Sequence, residues 1–295
     1  MNSKYKIDVL LPTYNGEKFL KEQIDSILNQ SVTDIRLLIR DDGSVDHSLA
    51  IIEEYSLADN RVVIIESPEG NIGLVKSIEK MMIFSNADLI FFSDQDDVWI
   101  NNKIELFLNR YSMIENSENI PILIHSNCYV TDDHLNIKGK FIGYKAKNNE
   151  TKDSLFNFFV QGSSSMINKK LKEISVGFPE NVYVHDRYLH IMAQLFGKRY
   201  YLDTQTMYYR QHNNNVIGTG NIRTKILNNL KRRKFYLPEE KLFMDSLLEK
   251  YPENNYLLLY KQLTSKSSRL HKITSMAKNK IKLSLKQYFF LFIEN

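Results

Sequence analysis

Within the first hundred residues, short apolar runs alternate with stretches of helical periodicity, and three of the runs break off into a polar cluster. Lys6-Ile-Asp-Val-Leu-Leu-Pro12 leads into Thr13-Tyr14-Asn15, and Ile35-Arg-Leu-Leu-Ile-Arg40 leads into Asp41-Asp42-Gly43-Ser44. Asp88-Leu-Ile-Phe-Phe92 leads into Ser93 and then Asp94-Gln95-Asp96-Asp97. Apolar runs of about four to eight residues between polar segments read as buried strands. Another run, Arg61–Ile65, is followed by a loop through Pro68, Gly70 and Gly73. Between these runs, Phe19, Leu20, Ile24, Ile27 and Leu28 fall at helical spacing, and 46–55 and 74–84 also read as helices. Strand–helix alternation predicts a mostly parallel sheet with helices on both faces. Ligands of such sheets bind beyond the carboxyl ends of the strands, which is where the three polar clusters fall.

The second half has a different texture. Pro121–Ser126 and Lys198–Leu202 read as strands, and 186–196 as a helix with Tyr188, Leu189, Met192 and Leu195 at core spacing. From about Asn221 the pattern is helical and basic: residues 221–295 hold 16 Lys and Arg against 6 Asp and Glu, whereas 1–220 hold 23 against 29. That asymmetry points to an anionic partner, membrane surface or nucleic acid, or else to a solvated helical face. No recognised nucleic-acid motif accompanies the charges. Cys128 is the single cysteine, so no disulfide can form within the chain. The N-terminal residues pass straight into a strand-like run with no apolar signal region, and no run reaches the ~18 apolar residues that cross a bilayer. The expectation is a soluble, cytoplasmic protein.

The acidic cluster carries the first chemical inference. Three carboxylates within four positions at the end of a buried strand are costly unless something positive sits among them. Mg²⁺ or Mn²⁺ holding a diphosphate satisfies such a cluster, since both prefer carboxylate and phosphate oxygens. The plain alternative is a solvated acidic turn.

Six motifs then occur in order: Leu11-Pro-Thr-Tyr-Asn-Gly-Glu17, Arg40-Asp-Asp-Gly-Ser44, Asn71-Ile-Gly73, Ser93-Asp-Gln-Asp-Asp-Val-Trp99, His185-Asp186 and Tyr209-Arg-Gln-His-Asn213. Over residues 5–220 the chain resembles the family 2 glycosyltransferases of GT-A fold, most of all the bacterial rhamnosyltransferase-like members that build surface polysaccharide. The resemblance implies an α/β fold: a Rossmann-like, mostly parallel sheet flanked by helices, with a helical C-terminal extension. It implies a catalytic domain over 1–220, with 1–100 as the nucleotide-binding half and 101–220 as the acceptor half, and a basic extension over 221–295.

By the same resemblance, Thr13 and Tyr14 hold a nucleobase, and Asp41 accepts its N3–H, a task for an ionised carboxylate. Asp42 faces the ribose or pins its loop, and Ser44 is either a ligand contact or a helix N-cap. Gly73 lets the backbone approach the donor, and Lys76 meets a phosphate or is simply exposed. Asp94 and Gln95 fall to the nucleotide sugar, Asp96 and His212 to a Mn²⁺ or Mg²⁺ ion. Asp97 caps the turn before Trp99, which lines the acceptor wall or packs in the core. Asp186 matches the catalytic carboxylate, with helix capping as its alternative. His125, His134 and His190 match no motif and read as structural. Relatives carry other residues where this chain has Gln161-Gly-Ser-Ser-Ser-Met166, a loop expected to border the acceptor.

The implied activity is inverting transfer of a sugar from dTDP-rhamnose or a UDP-hexose to a saccharide hydroxyl in surface polysaccharide synthesis (O-antigen, capsule or cell-wall glycan). The acceptor is expected to be lipid-linked, with the C-terminal region lying on an anionic inner membrane face and no nucleic acid as partner. The rivals are a non-catalytic nucleotide-sugar or carbohydrate-binding module, and a nucleotidyltransferase. The latter needs a Gly-rich, basic loop after the first strand, and Thr13-Tyr-Asn-Gly-Glu17 is neither.

Overall fold

The computed structural model describes residues 3–66, 68–140, 161–212, 241–265 and 268–279. The chain divides into two compact units: Met1–Ala146, Val160–Gly177 and Val184–Gly220 form one, and Lys147–Phe159, Phe178–Tyr183 and Asn221–Asn295 the other.

The first unit opens with β1 (Ile7–Thr13), α1 (Glu17–Leu28), β2 (Arg36–Asp41), α2 (Ser48–Ala58), β3 (Val62–Ile64), α3 (Leu74–Phe84) and β4 (Leu89–Phe92). These strands lie in the order β3-β2-β1-β4, all parallel, as the alternation implies. Every residue of β1 is buried, which is why the strand reads as a continuous apolar run rather than an alternating one. Its one charge, Asp8, is 1% exposed and is met bidentately by Arg36 at 2.8 Å and by the Ser85 hydroxyl at 2.6 Å. α1 turns Leu20, Gln23, Ile24 and Ile27 inward, the spacing that lets one helical stripe cover a sheet.

The sheet then changes character. β5 (Val98–Trp99), α4 (Lys103–Ser112), β6 (Ile122–Thr131), β7 (Ile137–Lys140), β8 (Ser165–Asn168), α5 (Lys169–Ser175), α6 (His185–Phe196) and β9 (Lys198–Arg210) complete the unit. β8 joins β4 antiparallel and carries β6 antiparallel on its other side; β6 pairs β9 parallel, and β9 pairs β5 antiparallel. β7 adds to β6. The described strands make one nine-stranded mixed sheet. Its core joins both halves: Val9, Leu37, Leu89, Phe91, Trp99, Phe107 and Ile124 belong to one apolar cluster. Each such side chain contributes roughly 1.5–3 kcal/mol on burial.

Several local expectations change. β9 is 13 residues long, far beyond Lys198–Leu202, because its second half pairs with both β6 and β5. Helix α4 escaped the sequence reading although Ile104, Phe107 and Tyr111 all turn inward. α2 starts at Ser48, and Ser44 does not cap it: the Ser44 hydroxyl receives the Asn15 N–H at 2.9 Å and donates to Asp41. Asp97 does not cap a turn; it is 0% exposed and accepts the Arg210 N–H from β9 at 3.1 Å. Trp99 belongs to the core, 3% exposed against Phe91.

In the second unit, the described residues from 241 onward form three helices: α7 over 241–250, α8 (Asn255–Thr264) and α9 (Arg269–Lys278). Asn254 caps α8 by accepting the Tyr256 and Leu257 amides, and Ser268 caps α9 by accepting that of His271. No helix among the described residues is long and apolar enough to cross a membrane. Within the basic C-terminal region, the Lys231–Lys234 patch and the apolar run 288–293 lie outside the described residues.

Candidate active site

The carboxyl ends of β1, β2 and β4 put their three polar loops side by side, and one side chain ties two of them together. Gln95 accepts the Thr13 hydroxyl at 2.5 Å and the Tyr14 N–H at 2.8 Å through Oε1, and donates to the Tyr14 carbonyl at 3.1 Å. Its amide therefore shapes the loop after β1. Tyr14 is left 46% exposed, a ring open to a ligand. The β1 and β2 loops are joined by Asp42 N–H to the Thr13 carbonyl and Val45 N–H to Asn15 Oδ1.

Asp41 and Asp42 have separate surroundings. The Asp41 carboxylate accepts the Gly43 and Ser44 amides at 3.1 and 2.9 Å and the Ser44 hydroxyl, which folds the turn. Gly43 sits at φ 81°, where an added Cβ would also press on the Asn71 amide at 3.1 Å. Asp42 reaches the other way. It accepts Ile72 N–H at 2.9 Å, Gly73 N–H at 2.8 Å and Ser77 Oγ at 3.1 Å, and pairs with the fully buried Arg40. Burial pushes its carboxyl up, but the Ile72, Arg40 and Gly73 donors outweigh this and hold it below the usual range. Asp42 thereby ties its own loop to the 70–73 loop. Lys76 stands exposed on α3.

The acidic loop after β4 has three distinct carboxylates. Asp96 meets His212, with Oδ2 and Nε2 2.8 Å apart and about 15% of each side chain exposed. Arg210, two residues before His212, donates from Nε to the Asp96 carbonyl at 2.8 Å and from its main chain to Asp97. Its guanidinium lies 4.4 Å from the Phe19 ring centre, and Phe19 in turn lies 4.9 Å from the His212 ring. Asp94 is pushed up to about 6, by burial first and by the Asp96 charge second. Burial and the same two neighbours push Asp97 well above the usual range. Among the described residues no three or more His, Cys, Asp or Glu side chains gather as a ligand set; Asp96 and His212 form a pair.

Asp186 lies in the first turn of α6, half-buried. Oδ2 accepts Gly162 N–H at 3.1 Å and Oδ1 accepts Arg187 N–H at 2.7 Å. A helix N-terminus alone would depress this carboxyl. Burial instead pushes it up to about 7, and the Asp94 charge adds to the rise. Gly162 is necessary here: a Cβ would come within 2.7 Å of His185 Nε2 and 3.5 Å of the Asp186 Cβ. The structure therefore brings Asp186 within reach of the Asp94 charge and Asp94 within reach of that of Asp96, with the β1 loop joined to the acidic loop through Gln95.

The sequence profile of glycosyl transferase family 2 matches residues 8–175. This chain belongs to that family. Among relatives, the glycosyltransferase is 29% identical over 268 residues to the dTDP-rhamnosyl transferase RfbG of Shigella flexneri, covering 84% of this chain and 88% of RfbG. It is also 29% identical over 138 residues to the Escherichia coli UDP-Glc:alpha-D-GlcNAc-diphosphoundecaprenol beta-1,3-glucosyltransferase WfgD, covering 47% of this chain and 51% of WfgD. Among solved structures, Staphylococcus aureus TarS 1–349 with UDP-GlcNAc matches at a TM-score of 0.59 and 18% identity, over 98% of this chain and 74% of that one. The mannosyltransferase PcManGT of Pyrobaculum calidifontis, with GDP-Man and Mn²⁺, matches at 0.58 and 14% identity, over 98% and 79%. The fold is GT-A.

Three residues of this glycosyltransferase's site were given no role in the sequence reading. Arg210 was part of a quoted motif without a role. Tyr209 lies near all three carboxylates, its hydroxyl pushed upward by burial and then by Asp97 and Asp94. Lys103 is 0% exposed beneath the acidic loop. Its signal was a lysine four residues before Phe107, on the buried stripe of an amphipathic helix.

Proposed function

We propose that this family 2 glycosyltransferase moves a sugar, with inversion, from a nucleoside-diphosphate sugar to a saccharide hydroxyl in surface polysaccharide synthesis. The observation that carries the proposal is Asp186: a half-buried carboxyl raised to about 7, within the field of the acidic loop. A general base works best with a pKa near the operating pH. Asp186 takes the acceptor hydroxyl proton as the oxygen attacks the anomeric carbon, opposite the departing diphosphate. Gly162 N–H and Arg187 N–H orient its two oxygens.

At the nucleotide end, the exposed Tyr14 ring covers the base, Thr13 and Gln95 hold its loop, and Asp41 accepts the base N3–H. Asp42 keeps the 70–73 loop against the donor, Asp94 faces the ribose, and Lys76 meets a phosphate. Asp96 and His212 suit Mn²⁺ or Mg²⁺, which bind through one or two protein ligands, substrate phosphates and water. Such an ion supplies Lewis-acid neutralisation of the leaving diphosphate. The Mn²⁺ held with GDP-Man by PcManGT supports this reading. RfbG supports dTDP-rhamnose as the first donor to try, and WfgD supports UDP-glucose with a diphosphoundecaprenol-linked acceptor. Residues 1–220 then act as the catalytic domain, 1–100 serving the nucleotide and 101–220 the acceptor. The basic 221–295 region approaches an anionic membrane face on the strength of its charge.

The test is release of nucleoside diphosphate from a panel of dTDP- and UDP-sugars with Mn²⁺ or Mg²⁺. Release with at least one donor, lost with EDTA and in Asp96→Ala, is the expected result. Turnover by Asp96→Ala in EDTA contradicts the metal reading, and no release from any donor contradicts the transferase reading.

A further inference from the structure

Lys103 has no part in the chemistry above, yet its surroundings give it one. It opens α4 with its side chain turned fully inward, 0% exposed. Lysine is almost never fully buried unless paired. Its Nζ lies 3.7 Å from the centre of the Trp99 ring and donates to the Ser163 carbonyl at 2.5 Å, with Met207 Sδ at 3.6 Å. Burial pulls its ammonium down to about 7, and the nearby Asp97, Cys128 and Asp94 side chains oppose that fall. The Ser163 hydroxyl lies beside the same two carboxylates. Ser163 also follows Gly162, whose N–H is held by Asp186 Oδ2 at 3.1 Å.

One ammonium therefore touches both halves of the site. It reaches the end of the acidic loop through the face of Trp99, two residues past Asp97, and the 162–164 turn through a hydrogen bond. The loop ends β4 and the turn begins β8, strands separated by some seventy residues of chain but adjacent in the sheet. A buried amine seated between them ties the turn to the segment that follows the loop.

We propose that Lys103 is a positioning residue for sugar transfer: it registers the 162–164 turn, and through Gly162 the Asp186 carboxylate, against the acidic loop. The inference rests on Asp186 being the base. Trp99 is its partner, an aromatic face that takes the ammonium where water cannot, so Trp99 and Lys103 form one device. Reaction geometry is sensitive enough for this to matter, since displacing a reacting group by about 1 Å costs on the order of 10²-fold in rate.

The experiment is Lys103→Met in the full chain, which keeps the bulk and removes the charge and the donor. Turnover at saturating donor and acceptor is expected to fall on the order of 10²-fold. The donor KM and the calorimetric Kd for dTDP or UDP are expected to stay within about threefold, because the β1 and β2 loops are untouched. If the carboxyls left behind prevent folding, the double variant Lys103→Met/Asp97→Asn removes one buried carboxyl together with the lysine. That variant is expected to fold and to show the same fall in turnover. Wild-type turnover per folded molecule in either variant, whatever the change in Tm, makes Lys103 a stability element and overturns the proposal. So does a loss confined to donor binding. Failure of the underlying transferase reading is seen separately, as wild-type protein that releases no nucleoside diphosphate from any donor.

Discussion

Asp186→Asn separates a base from a cap. The change is nearly isosteric and keeps one oxygen for the Gly162 or Arg187 amide, but amide oxygen cannot take the acceptor proton. Loss of a general base costs on the order of 10²–10⁴ in rate. Nucleoside diphosphate affinity should hardly move, because the β1 and β2 loops are intact. The wild-type pH profile carries the second half of the test. Burial, with the Asp94 charge behind it, places the Asp186 pKa at about 7. The base works ionised, so kcat/KM falls as pH drops through that value; one unit below it only about a tenth of molecules are competent. An ordinary exposed aspartate, near 3.9, would hold the rate flat to below about pH 5. Stability runs the other way. The folded pKa is raised, so between about 4 and about 7 the folded chain keeps a proton that the unfolded chain has released. Wild-type stability therefore falls as pH rises across that window and stays lowered above it. Asparagine has no such equilibrium, so the Tm of the variant relative to wild type should climb from pH 4 to pH 8. The assay is nucleoside diphosphate release from pH 5 to 9 with chemistry rate-limiting, alongside thermal melts at the same pH values. An acid limb centred below about pH 5, or an Asn variant with more than half of wild-type turnover, refutes the reasoning.

Gly162→Ala should lower turnover at least tenfold and stability by about 1–3 kcal/mol, since its Cβ would meet His185 Nε2 at 2.7 Å; unchanged kinetics would show that the turn does not hold Asp186. Asp42→Ala takes the nearest carboxylate from the fully buried Arg40, leaving it Glu69 at 3.8 Å, and frees the Ile72 and Gly73 amides, so denaturant melts should show a loss of about 3 kcal/mol; a loss under about 1 kcal/mol would remove Asp42 as the loop's pin. Gln95→Ala deletes three hydrogen bonds to Thr13 and Tyr14. At about 1 kcal/mol for even one that matters to binding, calorimetry should find dTDP and UDP bound roughly fivefold more weakly, and equal affinity would show that the β1 loop does not need it.

The parallel half of the sheet was legible because β1, β2 and β4 are buried on both faces. Apolar runs such as Asp88–Phe92 then stand out, and their polar ends mark the ligand edge. The second half was not. β8 is Ser-Met-Ile-Asn, β5 is two residues long, and β9 mixes Lys, Asp, Thr and Gln with tyrosines, so neither period nor composition declares a strand. Asp186, Asp96 and His212 were picked out as candidates by motif order, and the contact of Asp96 with His212 across 116 residues of chain came only with the fold. Asp42 shows the limit of reading a motif: adjacent carboxylates in a turn point apart, and local sequence does not say which faces the ligand. Lys103 and Arg210 were unreadable for a different reason. Their roles are set by burial against residues from other strands, and a single Lys or Arg in sequence is most often solvated.

Asp96 and His212 holding a cation-borne diphosphate within reach of Asp186 is tested most directly by anomalous diffraction from crystals grown with Mn²⁺ and dTDP or UDP. The expected result is one manganese peak about 2.2 Å from both an Asp96 oxygen and His212 Nε2, between the distances usual for Mg²⁺ and Ca²⁺, and touching the diphosphate on the side that faces Asp186. Nucleotide bound with manganese on neither residue, or with Asp186 turned away from the diphosphate, would contradict it.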